Sequence, residues 1–456
     1  MKISNLINLG KKILELFEDY ISIKDPKPQM RTLVRHFTTN LKITETGCQT
    51  TGSSEIIQKK DWTFLILDFI NERIKSLNDL KQLAKSIAIC YNNNIDILAP
   101  GCNKITQTSY WLESFIYKII HEKLEGKLSE DSLIDHASLF KSELELAPIE
   151  YQFIHYISGI FLEPNSIKIN NKVCIRKIKE SDLEYTSELL VDFPKSRKIP
   201  SSILKINMSA QDQNECFEYV NNIFNSLRLY KVGSILSLET KTVKKTIIWS
   251  SAKQLSWSGD EYFSFNRYPI HESHVNTFIK FVNSIVQKLY FDKKSKIFWS
   301  LGIALDRYNS ALLEKTDSDR RLMISVMGLE SLFSLPKERG ENAFKLSNRV
   351  AKLLGTLNFN VEKVRMHIQQ AYIFRNKVVH GLYITQNKRN EMNEVLPEIL
   401  NYLRISIIIF LLNKNIGKDK LIIKIDNSLI DGNQSKDLNK LIDKTTKDFK
   451  EHLCEL

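Results

Sequence analysis

The sequence predicts a multidomain protein: an α-rich N-terminal region over 1–165, an α+β middle region over 166–290, a C-terminal all-α helical bundle over 291–413 and a charged, helical tail over 414–456. Three observations carry this division. Apolar residues recur at three- and four-residue spacing from Asp61 to about Ile160, the period drops to two from Ser166, and the helical period returns from Lys296 onward. At 456 residues and 43% hydrophobic content, the chain is too long for one compact core and has material for two or three.

In the first part, Trp62-Thr63-Phe64-Leu65-Ile66-Leu67-Asp68-Phe69-Ile70 and Trp111-Leu112-Glu113-Ser114-Phe115-Ile116-Tyr117 give helical apolar faces. Residues 37–60, rich in Thr, Ser, Gly and Lys, read as a flexible link. In the middle part, Ile167-Lys168-Ile169 and Val173-Cys174-Ile175 alternate around Asn170-Asn171 and predict a hairpin. Ser234 to Thr240 and Thr246 to Ser250 predict further strands, with a helix at Glu215 to Leu229 between hairpin and strands. The lysines of this region (Lys168, Lys172, Lys177, Lys195, Lys198, Lys241, Lys244, Lys245) are either a basic surface or the wet face of a half-exposed sheet.

The third part predicts helices over Ile297 to Leu313, Asp319 to Leu335, Glu341 to Leu354, Val361 to about Val379, and Leu396 to Leu412. Punctuation supports these limits: Thr316-Asp317-Ser318 offers an N-cap, Pro336 a stop, Gly355 a C-terminal glycine and Pro397 a first-turn proline. Five helices with short links form a bundle. Beyond Asn413 lysines alternate with acids, as in Lys436-Asp437 and Asp443-Lys444, and predict a solvated helix.

The net charge of +12 favours a polyanionic partner without identifying one. Six scattered cysteines contain no Cys-x-x-Cys pair, so neither a zinc knuckle nor a disulfide scaffold is indicated. The longest apolar run, Ile407 to Leu412, falls short of a membrane span, and Met1-Lys2-Ile3-Ser4-Asn5 is not followed by a secretory apolar core, which predicts the cytoplasm. Phosphate-binding glycine loops, a Gly-x-Ser-x-Gly elbow and the dinucleotide fingerprint are missing. Glu239-Thr240-Lys241 has the form of a metal-dependent nuclease motif, for which Asp192 would be the upstream acid, but it also reads as a strand end with exposed charges. His271-Glu272-Ser273-His274 has no third ligand and reads as a helix start.

The strongest chemical signal is Arg375-Asn376-Lys377-Val378-Val379-His380-Gly381. The stripe Val361, Val364, Ile368, Ala371, Tyr372 continues by four residues onto Arg375, placing a guanidinium where an apolar side chain is expected. His380 lies five residues further, about 140° round an ideal helix, so a distortion or helix end is expected between the two. Imidazole can take or give a proton near neutral pH, and an arginine fork can hold a phosphate whose charge rises in the transition state. The competing interpretation is structural: an arginine bonding carbonyls at a helix end and a histidine capping it.

The segment Tyr372-Ile373-Phe374-Arg375-Asn376-Lys377-Val378-Val379-His380-Gly381 resembles the Arg-x4–6-His signature of HEPN domains, in which a polar residue commonly follows the arginine. Met327-Gly328-Leu329-Glu330-Ser331-Leu332-Phe333 and Leu346-Ser347-Asn348-Arg349-Val350-Ala351-Lys352-Leu353-Leu354-Gly355 resemble the Apea-like branch of that family, so the likeness spans roughly residues 296–413. The resemblance implies a metal-independent endoribonuclease without cofactors, acting on RNA in anti-phage defence or as a toxin. It implies a homodimer through the bundle, with Arg375 and His380 of both copies lining one cleft and a trigger ligand or phage component engaging the N-terminal region. By the same resemblance, His380 would be general acid/base and Arg375 the phosphate clamp, with Asn376 and Tyr372 positioning substrate, although Tyr372 also continues the apolar stripe as core. Glu330 is a candidate partner for an arginine of the bundle, either Arg375 or Arg349. Certain HEPN toxins carry a tyrosine two residues after the histidine as a modification site; here Leu382 stands there and Tyr383 follows. A non-catalytic HEPN scaffold for dimerisation and RNA or protein binding is the alternative.

Overall fold

The computed structural model describes residues 2–24, 28–44, 47–99, 101–179, 182, 184–186, 201–210, 213–246, 255–257, 267–289, 296–314, 317–336, 338 and 340–454. Its apolar residues gather in two separate clusters, one drawn from residues 6–144 and the other from 149–454.

The first cluster is a helical layer: α1 (Ile3–Lys24), α2 (Thr63–Phe69, continued by a π turn to Ile74), α3 (Asn78–Cys90), α4 (Asn92–Leu98), α5 (Lys104–Leu124) and α6 (Glu130–Leu144). Leu6, Leu9, Ile13, Phe17 and Tyr20 form one buried stripe of α1, and Phe17 meets Phe69 edge-on at 5.0 Å. Helix starts are fixed by side chains: Asn103 accepts from the amides of Ile105 and Thr106, and Ser129 with Ser132 makes a capping box.

Between α1 and α2 the chain is not a flexible link. It forms a long antiparallel hairpin of β1 (Gln29–Thr44) and β2 (Gly47–Asp61), with Gln29 opposite Asp61 and Thr44 opposite Gly47. Threonine-rich composition suits a loop, but β-branched residues also favour extended backbone, and here that preference prevails.

The helical pattern ends at Leu144 and not near Ile160, because Ile149–Ser158 is β3, the central strand of the large sheet. Its inward residues Ile149, Tyr151, Phe153, His155 and Ile157 alternate with the more exposed Glu150, Gln152, Ile154 and Tyr156, a two-residue period visible in the sequence. The sheet also contains β5 (Ser166–Lys168), β6 (Val173–Lys177), β8 (Ser202–Ala210), β9 (Leu236–Lys245) and β10 (Leu255–Trp257), in the order β10-β9-β3-β8-β6-β5. The hairpin expected around Asn170-Asn171 is β5–β6, with Ile167 opposite Ile175 and the Asn170 carboxamide accepting from the Lys172 and Val173 amides. Short β4 (Ile160–Leu162) pairs in parallel with β11 (Tyr268–Ile270), and β7 (Glu184–Thr186) borders β1. Gly159, between β3 and β4, has φ +98°, and a Cβ there would stand 2.5 Å from the Ser234 carbonyl oxygen. Residues 247–250 of the expected strand, Asp192, Lys195 and Lys198 lie outside the described residues.

Helix α7 (Gln213–Tyr230), somewhat longer than expected, covers the inner face of the sheet, and α8 (Val275–Leu289) packs beside it. The bundle follows: α9 (Lys296–Leu313), α10 (Ser318–Phe333), α11 (Asn342–Gly355), α12 (Val361–Val379) and α13 (Gln386–Leu412). Asp317 caps α10 by accepting from the Arg320 amide.

α13 begins at Gln386, capped by Thr385, so Pro397 sits in the helix interior, where it removes one backbone hydrogen bond, and not in the first turn. Gly355 is the last residue of α11 and not its left-handed stop; the left-handed residue is Asn358, and Gly355 instead allows close approach of Val361. The charged tail is not a solvated helix: α14 (Lys418–Ile430), α15 (Gly432–Thr446) and α16 (Lys450–Cys454) bury Leu421, Ile422, Ile425, Leu438, Ile442 and Leu453 in the second cluster.

By length and composition α13 is the one helix among the described residues that could cross a membrane, longer than the Ile407 to Leu412 run suggested. It is mostly buried and forms the centre of the bundle.

Candidate active site

The sequence-predicted residues cluster at the C-terminal end of α12. Val364, Ile368, Ala371, Tyr372 and Phe374 bury one face of that helix, whereas Val361 is exposed. Arg375 follows Ala371 by one turn and is turned toward α10, where its Nη2 lies 3.2 Å from Glu330 Oε2. Nη1 donates to Asn376 Oδ1 at 2.9 Å, and the guanidinium carbon stands 5.6 Å from the centre of the Tyr372 ring. Nε is buried and has no hydrogen-bond partner among the described residues. Both members of the ion pair keep about a fifth of their side-chain surface exposed (22% and 23%), so solvent still reaches the pair.

Sequence alone left open whether Glu330 meets Arg375 or Arg349. It meets Arg375. Arg349 is held elsewhere: its Nε and Nη2 donate to Asp426 of α14 at 2.8 and 2.7 Å, its Nη1 donates to the Phe333 carbonyl at 2.7 Å, and it also pairs with Glu338. The guanidinium beside it holds the Glu338 carboxyl down to about 2. Arg349 is therefore a structural clamp between α10, α11 and α14, whereas Arg375 keeps about a fifth of its side chain toward solvent. Tyr372 is buried beneath Arg375; burial and the Glu330 carboxylate hold its phenol above the ordinary range, with Arg375 opposing.

Of the distortion or helix end expected between Arg375 and His380, the structure has the end: α12 runs to Val379 and His380 is its C-cap. The His380 amide donates to the Asn376 carbonyl, the Gly381 amide to Val378 at 3.1 Å, and the Leu382 amide to Lys377 at 2.9 Å. This is a Schellman closure with Gly381 in the left-handed conformation at φ +64°. The histidine thus occupies the helix C-cap, as the structural interpretation expected, yet its side chain is exposed. The arginine bonds side chains and not carbonyls, which that interpretation did not expect. Among the described residues no hydrogen bond or ion pair joins Arg375 to His380. Exposed apolar side chains surround the helix end: Ile373, Val379 and Leu382 are each more than half exposed, and Tyr383 is 86% exposed.

The competing motifs gain little. Glu239 and Lys241 lie on β9 between β3 and β10, with the proposed upstream acid outside the described residues. His271 Nδ1 lies 3.4 Å from Glu163 at the start of α8, with His274 beside it. Among the described residues no group of three or more His, Cys, Asp or Glu side chains is arranged to hold a metal ion.

No family model, no curated protein and no solved structure matches the chain. The chemistry open to the site therefore follows from its own residues.

Proposed function

We propose that the chain is a metal-independent endoribonuclease of the HEPN type, a defence or toxin-like effector whose active cleft forms between two copies of the bundle. The observation that carries this is the placement, near one helix end, of an exposed histidine and an arginine whose side chain is still 22% exposed. Within one chain the two side chains leave the helix about 140° apart. A second copy facing the first would supply the missing half of each site and cover the exposed Ile373, Val379, Leu382 and Tyr383.

In such a cleft, one His380 imidazole removes the proton of a ribose 2′-hydroxyl. The 2′-oxygen attacks the adjacent phosphorus, and the 5′-oxygen leaves with a proton from the other copy's His380 in its imidazolium form, giving a 2′,3′-cyclic phosphate. Arg375 holds the non-bridging oxygens as their charge rises, exchanging its Glu330 contact for phosphate. Asn376 orients the guanidinium and Tyr372 supports it from below.

A second reading, a non-catalytic scaffold, is favoured by one observation: Arg375 is already engaged by Glu330 and Asn376. The discriminating experiment incubates wild type, Arg375→Ala and His380→Ala with mixed tRNA, mRNA and rRNA in EDTA, with sedimentation of each protein alongside. Cleavage by wild type alone, with dimers in all three, supports the nuclease. Dimers that bind RNA and never cut it support the scaffold.

A further inference from the structure

The last four carbonyls of α7, which no intrahelical amide can reach, are all met by buried side chains from elsewhere. Tyr268 donates its hydroxyl to Leu227 O at 2.6 Å and Tyr308 of α9 donates to Arg228 O at 2.9 Å. Arg404 of α13 donates Nη1 to Leu229 O and Tyr230 O at 2.9 and 2.7 Å. His452 of α16 reaches Tyr230 O with Nε2 at 2.7 Å, its ring stacked on that of Tyr230 at 3.9 Å. A helix of the α+β region is thus capped by three helices of the C-terminal part. A cation at a helix C-terminus is also favoured by the macrodipole.

Arg404 is 2% exposed, and among the described residues no carboxylate pairs with it; its remaining partner is Asn401. If α7 withdrew, a buried guanidinium would lose its acceptors, an arrangement that must rearrange or admit water. The neighbouring Leu403 packs on Gly328 of α10, two residues before Glu330, which holds Arg375. α7 and the Arg375 helix are therefore joined by an unbroken series of packed or hydrogen-bonded groups.

We propose that the capped end of α7 is a regulatory joint: displacement of α7 in the α+β region disengages Tyr308, Arg404 and His452 and loosens α12 together with it. Adjacency alone does not establish coupling, so the test reads it directly. It stands whether or not the chain cuts RNA.

Arg404→Met empties a fully buried ionic site and can abolish folding, so Tyr308→Phe and His452→Phe are the informative variants. Each removes one donor and leaves an aromatic ring at the position, the same ring for Tyr308→Phe and a larger one for His452→Phe. Hydrogen–deuterium exchange of the full-length variants is followed in α7, α12 and α5, the last belonging to the separate N-terminal cluster. The expected result is exchange about fivefold faster near the end of α7, the loss of one buried hydrogen bond, with a parallel rise in α12 and no change in α5. Faster exchange in α7 alone, in neither helix, or equally in all three overturns the proposal.

Discussion

Replacing Gly381 by alanine isolates how much the end of α12 depends on one backbone conformation. At φ +64° an L side chain costs about 1–2 kcal/mol. Nothing lies within 4 Å of the Cβ that alanine would add, so packing contributes no further penalty. Alanine also restricts the unfolded chain, which returns about 0.4–1 kcal/mol. The net loss is then between about 0 and 1.6 kcal/mol, centred on about 0.8 kcal/mol, visible as a lower urea midpoint with an unchanged slope. Asparagine tolerates the left-handed region better, so the stability order should be Gly, then Asn, then Ala. If His380 acts from this C-cap, RNA cleavage should fall further in Gly381→Ala than stability does and recover partly in Gly381→Asn. An alanine variant as stable as wild type, or an asparagine variant worse than alanine, would refute the conformational reasoning.

Arg349→Met removes the donors to Asp426, Glu338 and the Phe333 carbonyl and should cost about 2–4 kcal/mol in urea unfolding; a double-mutant cycle with Asp426→Asn should be strongly non-additive. Gly328→Ala should destabilise by about 1–3 kcal/mol, because its Cβ would lie 2.8 Å from Leu403 Cδ2 and 3.3 Å from Arg307 Cβ; an unchanged midpoint would mean that Leu403 has room to move. Burial pushes His155 down to about 4 and His452 down to about 3 from 6.5, so both remain neutral in the fold while the unfolded chain takes up protons. Their contribution is fully present above pH 6.5 and is lost as pH falls through 4 and 3, about 3 kcal/mol for His155 alone. His155→Gln should accordingly flatten the acid side of the stability profile, and a slope equal to that of wild type would exclude the burial argument.

What could be read from the sequence followed locality. Helices α9 to α12 carry clear apolar periods, with Asp317 and Pro336 punctuating α10, so their limits emerged nearly residue for residue. All but Met392 and Val395 of the first ten residues of α13 are polar, and they precede Pro397; both facts argued for a later start. β3 alternates visibly, yet it follows a long helical stretch closely enough to be absorbed into it. The buried positions of α14 to α16 were diluted by the lysines and acids around them. At the site, Arg375 and His380 were identifiable from one short segment. Glu330, forty-five residues earlier in the chain, could be named only as a candidate partner, because nothing local distinguishes Arg375 from Arg349.

The shared apolar cluster over 149–454 limits how such a chain can diversify. Recombination tends to succeed where few contacts cross the junction. A cut between the sheet and the bundle would part α7 from Tyr308, Arg404 and His452, so a transplanted bundle would arrive with its buried guanidinium unmet. The connection near residue 146, between the two clusters, is the more tolerant junction, crossed by the short β1–β7 pairing and the Thr246–Glu143 hydrogen bond but by no shared apolar cluster. Chimeras exchanging the N-terminal helical layer should therefore fold, whereas those exchanging the bundle alone should be recovered only when the α7 end travels with it.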